Sequence, residues 1–172
     1  MEKNLIYGIG LLLGLSLFPL VLHAERYSEP GAGFSYEVLD GWQLVDFPGM
    51  KYKAMIGQRE NGFSPNLNFV DETTKVDMSL DEYASANETT LEKVFVNYKK
   101  ISRTDFATDS RLKSIKLITE SDQQKNHLRQ TFYFFKRTNQ RFIVVTCSTL
   151  ASNGDALAPE FDKELKTFDL SK

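Results

Sequence analysis

Two segments of this chain are apolar on both faces, Phe132-Tyr133-Phe134-Phe135 and Phe142-Ile143-Val144-Val145. Successive side chains of a strand point to opposite sides of a sheet, so neither segment can leave a side facing water. The two are separated by a turn at Asn139-Gln140, which predicts a tight hairpin inside a sheet covered on both sides. The rest of the chain must therefore supply two covering layers.

One layer is predicted from Ser79 onward. Ser79 and Glu82 stand three apart, the spacing of a capping box, in which each side chain satisfies a backbone N–H that the first helical turn leaves unpaired. Leu80, Tyr83, Ala84, Leu91, Val94, Phe95 and Tyr98 then repeat at helical spacing. Asn87 falls on the same stripe, so either the helix bends there or the amide has a buried partner. A second helix is predicted over Pro159–Phe168, with proline near its first position and Phe161, Leu165 and Phe168 on one face.

Period-two alternation predicts the remaining strands: Phe34–Val38, Gln43–Phe47, Tyr52–Gln58, Asn66–Val70, Leu112–Glu120, His127–Thr138 and Arg141–Leu150. Asp40-Gly41 is read as the turn of a hairpin between the first two, placing the single tryptophan, Trp42, against the sheet edge. The expected fold class is α+β: a mainly antiparallel sheet of six or seven strands with helices packed on its faces, formed by one domain over residues 34–172. Residues 25–33, including RYSEPGAG, are polar and turn-rich and are read as a flexible lead-in.

Ahead of the domain, Lys3 precedes an uncharged run from Asn4 to Leu22, and Leu22-His23-Ala24 ends on a small residue. This is the layout of a signal peptide over residues 1–24, implying a periplasmic or secreted protein. The alternative is a retained membrane anchor over residues 4–22. The formal net charge of −2 lacks the clustered positive field of a general nucleic-acid binder, so no nucleic-acid partner is expected. Cys147 is the single cysteine, which leaves an exported domain to rely on its core.

Chemistry-bearing residues are sparse. His127 is the one histidine beyond the leader, so any histidine-based triad must use it; the plainer reading is an exposed strand residue. Cys147, in phase with Ile143 and Val145, reads as a small core residue. Asp71, Glu72, Asp77, Asp81 and Glu82 lack the spacing of a calcium loop and suit a solvated helix start favoured by the macrodipole. The Asn87-Glu88-Thr89 sequon lies on a helical stripe, a poor place for a glycan. No nucleotide-binding glycine loop or nucleophile elbow is present, and no cofactor is expected. The one candidate partner surface is basic: Lys99, Lys100, Arg103, Arg111, Lys113 and Lys116, suited to an acidic envelope protein or an anionic membrane surface, against the plainer reading of a solvated loop.

The order Phe34-Ser35-Tyr36, Gly41-Trp42, Pro65-Asn66-Leu67-Asn68, Ser79-Leu80-Asp81-Glu82-Tyr83, Arg141-Phe142-Ile143-Val144-Val145-Thr146 and a closing helix with Phe161 and Phe168 resembles the PsbP/DcrB/Mog-type superfamily over nearly the whole chain after the leader. The resemblance implies an antiparallel sheet between helices and a binding or assembly role. PsbP-type members are extrinsic lumenal proteins that help photosystem II retain calcium and chloride. DcrB-type members are exported bacterial envelope proteins, and the Mog-type binds the GTPase Ran. The expectation is an exported, non-enzymatic accessory or binding protein of the bacterial envelope; the resemblance transfers no site residue. The alternatives are an extrinsic photosystem II-type subunit and a carboxylate-dependent enzyme.

Overall fold

The computed structural model describes residues 25–170, so the leader, its cleavage point and the alternative anchor lie outside the described residues. Ten strands and two helices follow in the order β1 Arg26–Glu29, β2 Phe34–Glu37, β3 Gln43–Val45, β4 Ala54–Ile56, β5 Asn66–Thr73, α1 Leu80–Val94, β6 Val96–Ala107, β7 Lys113–Gln123, β8 Asn126–Lys136, β9 Arg141–Leu150, α2 Gly154–Thr167 and β10 Asp169–Leu170. Seven strands form one antiparallel sheet in the order β3-β4-β5-β9-β8-β7-β6, and β1-β2-β10 form a small second sheet. Among the described residues no helix is long and apolar enough to cross a membrane.

The doubly apolar segments are β8 and β9, paired at the middle of the large sheet and joined by the expected tight turn, where Arg137 N–H donates to Arg141 O at 2.8 Å. Their alternate residues feed two separate cores. Phe132, Phe134, Phe142 and Val144 pack with Tyr83 and Ala84 of α1. Tyr133, Phe135, Ile143, Val145 and Cys147 pack with Phe161 and Leu165 of α2 and with Phe34 and Tyr36 of β2. Tyr83 stacks on Phe142 with ring centroids 3.9 Å apart, and Phe168 on Phe135 at 4.5 Å. Phe134, Phe135 and Phe142 are fully buried, each contributing about 1.5–3 kcal/mol by burial alone.

The capping box of α1 forms as expected: Glu82 N–H donates to Ser79 Oγ at 3.1 Å and Ser79 N–H to Glu82 Oε2 at 2.7 Å. Asn87 is satisfied within its own helix, donating to Tyr83 O at 2.9 Å. The helix stops at Val94, which is exposed, and Tyr98 belongs to β6 rather than to the helical stripe.

Four expectations are corrected. Residues 34–38 and 43–47 do not pair with each other: β2 pairs with β1 and β10, and β3 with β4. Phe34 and Tyr36 stack on Phe69 of β5 from the α2 side, at 4.8 and 4.6 Å, so β2 is a covering layer rather than a member of the large sheet. The segment read as a flexible lead-in is β1 and its turn, held by four residue pairs with β2 and by Arg137, whose guanidinium donates to Ala32 O. The stretch from Val96 to Ala107, read partly as helix and partly as loop, is the edge strand β6; two register shifts, at Val96/Lys99 and Lys100/Ser102, break the alternation that would have marked it. Bulges and lysines are also how exposed sheet edges resist unwanted pairing. Finally, α2 begins at Gly154, so Pro159 sits inside it and the helix forgoes the bond to the Asp155 carbonyl. Arg129 offsets that loss by tying the first turn to the sheet, bonding both Asp155 and Glu120.

Candidate functional site

The basic residues singled out in the sequence do not form one surface. Lys100 and Arg103 lie under α1: Lys100 Nζ is 2.6 Å from Glu88, and Arg103 donates to Asp81 at 2.6 Å, Ser85 at 2.9 Å and Glu88 at 3.3 Å. Lys116 faces the opposite side, where it pairs with Asp162 of α2 at 2.6 Å, and the Tyr133 hydroxyl donates to the same carboxylate at 2.5 Å. Lys99, Arg111 and Lys113 remain exposed, on β6, on the β6–β7 turn and at the start of β7. Half of the cluster is thus spent on fastening two helices to opposite faces of the sheet.

The other candidates are likewise dispersed. His127 is exposed; its hydrogen-bond partner among the described residues is Asp122, 2.6 Å away, which also accepts from Asn97 at 2.6 Å. These two donors, Asn97 first, hold the Asp122 carboxyl below its ordinary range. Cys147 is fully buried in the α2-side core, and burial pushes its thiol well up. Asp71 pairs with Lys51 at 2.9 Å, Glu72 accepts from Tyr83 at 2.5 Å, and Asp77 from Asn139 at 3.3 Å. Among the described residues no three His, Cys, Asp or Glu side chains gather as a metal ion requires.

What the structure does assemble is a cleft at Trp42. Gly41, at φ 77°, completes a turn in which Trp42 N–H donates to Leu39 O at 3.0 Å, a conformation that favours glycine. The turn carries the chain out of the small sheet into the edge strand β3. The indole is half-buried, meets Phe161 of α2 edge-on at 5.8 Å and lies against Gly57, where any Cβ would stand 2.9 Å from two ring carbons. Gly57 therefore has to be glycine for Trp42 to sit where it does.

In front of the indole opens a cleft of about 330 Å³ with three walls: Asp40 and Trp42 from the β2–β3 turn, Glu60 and Pro65 from the β4–β5 connection, and Asn153, Leu157 and Glu160 from the start of α2. Asn153 donates to Glu60 at 2.8 Å and ties two of the walls together. Asp40, Glu60 and Glu160 are exposed on its rim, and none has a cationic partner within 4 Å among the described residues. Deeper along α2, Glu164 is 4% exposed and its Oε1 has no hydrogen-bond donor among the described residues. Burial, then repulsion from Glu37, pushes its carboxyl up to about 8.

The expected place of Trp42, at the sheet edge, is where the structure has it: it directly precedes β3, the outermost strand. Glu60, Asn153, Glu160 and Glu164 escaped the sequence reading. For Glu164 a signal existed, because it falls in phase with Leu157, Phe161 and Phe168 on the apolar stripe of α2.

No protein-family model matches the chain, and no curated protein matches it by sequence. Solved structures do match. LpqN of Mycobacterium tuberculosis, described as involved in cell envelope biogenesis, superposes with a TM-score of 0.63 at 8% identity, covering 87% of this chain and 86% of its own. Cyanobacterial PsbP (CyanoP) of Synechocystis gives 0.58 at 16% identity, covering 90% and 97%. The Ran-binding protein Mog1p of Saccharomyces cerevisiae gives 0.52 at 8%, covering 86% and 95%. The chain has the PsbP/DcrB/Mog-type fold that its sequence resembles, and at these identities the likeness is one of fold.

Proposed function

We propose that this is an exported, non-enzymatic accessory or binding protein of the bacterial cell envelope, and that its working surface is the Trp42 cleft. The observation that carries the second half is the construction of the cleft. Three segments distant in sequence meet there, an indole is seated on a glycine that nothing larger can replace, and a cross-wall hydrogen bond holds the opening. Preorganised concave sites of this size, part apolar and part polar, are where proteins bind. The first half is supported by the leader in the sequence, and by the fold shared with an envelope-related protein, LpqN.

Osmotic-shock fractionation with N-terminal mass analysis tests export: the mature protein should begin at Glu25 and appear outside the cytoplasm. A full-length cytosolic product contradicts it. The cleft is tested by Glu60→Cys. Because Cys147 is buried, this variant carries one reactive thiol at the rim, and a thiol-directed photocrosslinker should yield a discrete envelope adduct that Lys75→Cys does not.

The competing reading is an acid–base enzyme using Glu164, whose raised pKa favours it. Its cavity of about 40 Å³ admits little more than a water molecule. Turnover of an ester or glycoside that Glu164→Gln abolishes would establish that reading instead.

A further inference from the structure

The turn between β2 and β3 is a wall of two separate cavities. Asp40, Gly41 and Trp42 line the cleft, and residues 37–40 line the cavity of about 40 Å³ against Lys163, Glu164 and Thr167 of α2. Glu164 is sealed there with an Oε1 that no donor reaches among the described residues. The groups facing it do not compensate. Glu37 on β2 and Asp40 on the turn are carboxylates. Arg26 on β1 and the exposed Lys163 are cations, but neither pairs with Glu164 within 4 Å among the described residues. Tyr36 on β2 and Cys147 on β9 are held neutral by burial. A carboxyl so placed is stable only as the neutral acid; once ionised it requires water, and a wall must move to admit it. The walls are not held equally. Phe161 and Leu165 anchor α2 and Phe34 and Tyr36 anchor β2, all four fully buried. Residues 37–41 are half-buried or exposed throughout, and the stretch ends on Gly41 at φ 77°. The turn is the loosest wall, the kind of segment that opens locally before the fold does.

We propose that the β2–β3 turn is a proton-operated gate on the Trp42 cleft: with Glu164 protonated it closes on α2, and with Glu164 ionised it swings away, admits water to the carboxylate and opens the cleft. The coupling runs through the chain itself. Asp40 lines both cavities and only Gly41 separates it from Trp42, so the turn cannot leave Glu164 without moving a wall of the cleft. Ionisation favours the open form, because only there is the charge hydrated, and the open population therefore rises with pH. Burial, then Glu37, pushes the carboxyl up to about 8, which puts the change in the weakly alkaline range. As a means of regulating binding, the gate rests on reading the cleft as the working surface.

Trp42 is the only tryptophan, so quenching of its fluorescence by acrylamide, a neutral probe, measures access to the turn and the cleft. In the full-length protein the quenching constant should rise at least twofold between pH 6 and 9.5, with a midpoint near pH 8, while far-UV circular dichroism stays constant. Glu164→Gln should hold the low value across the whole range, and Glu37→Gln, which removes a repelling charge, should move the midpoint to lower pH. A flat profile in the wild type, a rise that persists in Glu164→Gln, or a rise that coincides with loss of the dichroism overturns the proposal. If Glu164→Gln does not fold, Glu37→Gln decides, and an unmoved midpoint overturns it. A flat profile leaves the Glu60→Cys crosslink untouched and sinks the gate alone; a failed crosslink sinks the binding reading and leaves the quenching profile untouched.

Discussion

Replacing Glu164 by glutamine should change how stability depends on pH more than it changes stability at any one pH. The residue is 4% exposed, Oε1 accepts no hydrogen bond among the described residues, and burial raises the carboxyl pKa from 4.5 to about 8. Several charged groups bear on it from the packed elements: Glu37 on β2 raises the pKa further, while Arg26 on β1 and Lys163 on α2 itself pull it down. Because the folded pKa lies above the unfolded one, the folded state holds a proton that the unfolded state releases. Below about pH 4.5 both states are protonated and there is no penalty. From there to about pH 8 stability falls as pH rises, and above pH 8 both states are ionised and the loss is constant. At about 1.36 kcal/mol per pH unit, the interval between 4.5 and about 8 corresponds to a loss of about 5 kcal/mol. Glutamine does not titrate, so the variant should escape this loss while carrying a pH-independent cost of about 1–2 kcal/mol for its own unpaired amide. Thermal melts of both proteins between pH 4.5 and 9 measure the difference. With about 2–4 °C per kcal/mol for a domain of this size, the gap in Tm should swing by about 10–20 °C in favour of the variant across that range. A gap that stays constant would show that Glu164 is ionised in the folded protein and that the burial argument is wrong. Adding Glu37→Gln to the wild type should move the lower edge of the alkaline plateau below pH 8.

Three other substitutions test the architecture. Arg103→Ala removes the link from β6 to Asp81, Ser85 and Glu88 of α1, and should cost about 1–2 kcal/mol in urea unfolding, less at high salt. Ser79→Ala deletes half of the capping box and should cost about 1 kcal/mol by the same measurement. Gly57→Ala places a Cβ where the Trp42 indole lies; it should cost about 1–3 kcal/mol and shift the Trp42 emission maximum to longer wavelength as the ring is displaced outward. An unchanged spectrum would mean that the indole does not rest on Gly57.

The large sheet was readable because its strongest signals are local. The β8–β9 hairpin declares itself by two doubly apolar runs and a short turn, and α1 by a capping box followed by a stripe; both need only neighbouring residues. The edges were not readable in the same way. β6 has one exposed side, carries polar residues on both faces and shifts register twice, so periodicity had nothing to grip. β1 was hidden by its composition: Arg26, Ser28 and Glu29 look like a tail until β2 is known to need a partner on that side. Pro159 suggested a helix start because local rules place proline there, while the actual start is set by Arg129 reaching across from β8.

The cleft was the least legible feature, for a reason that follows from the pairing of β2. Read as a hairpin with β3, the Asp40-Gly41 turn would be a connection within one sheet, and Trp42 a cap on its edge and nothing more. Because β2 belongs to the small sheet, the same turn carries the chain between layers. It sets Asp40 and Trp42 beside α2 and beside the β4–β5 connection, segments that sequence alone cannot bring together. The acidic residues on α2 then divide by one helical turn: Glu160 reaches the rim and Glu164 falls on the apolar stripe, buried with Oε1 short of a donor among the described residues. Each helix carries a polar residue on its apolar stripe: the neutral Asn87, which the sequence reading singled out, and Glu164, which it passed over. Asn87 resolves into a bond to its own backbone, whereas Glu164 Oε1 meets no donor among the described residues. That contrast leaves Glu164, alone among the carboxyls of the described residues, with a buried oxygen that no donor reaches, which is why stability should fall as it ionises.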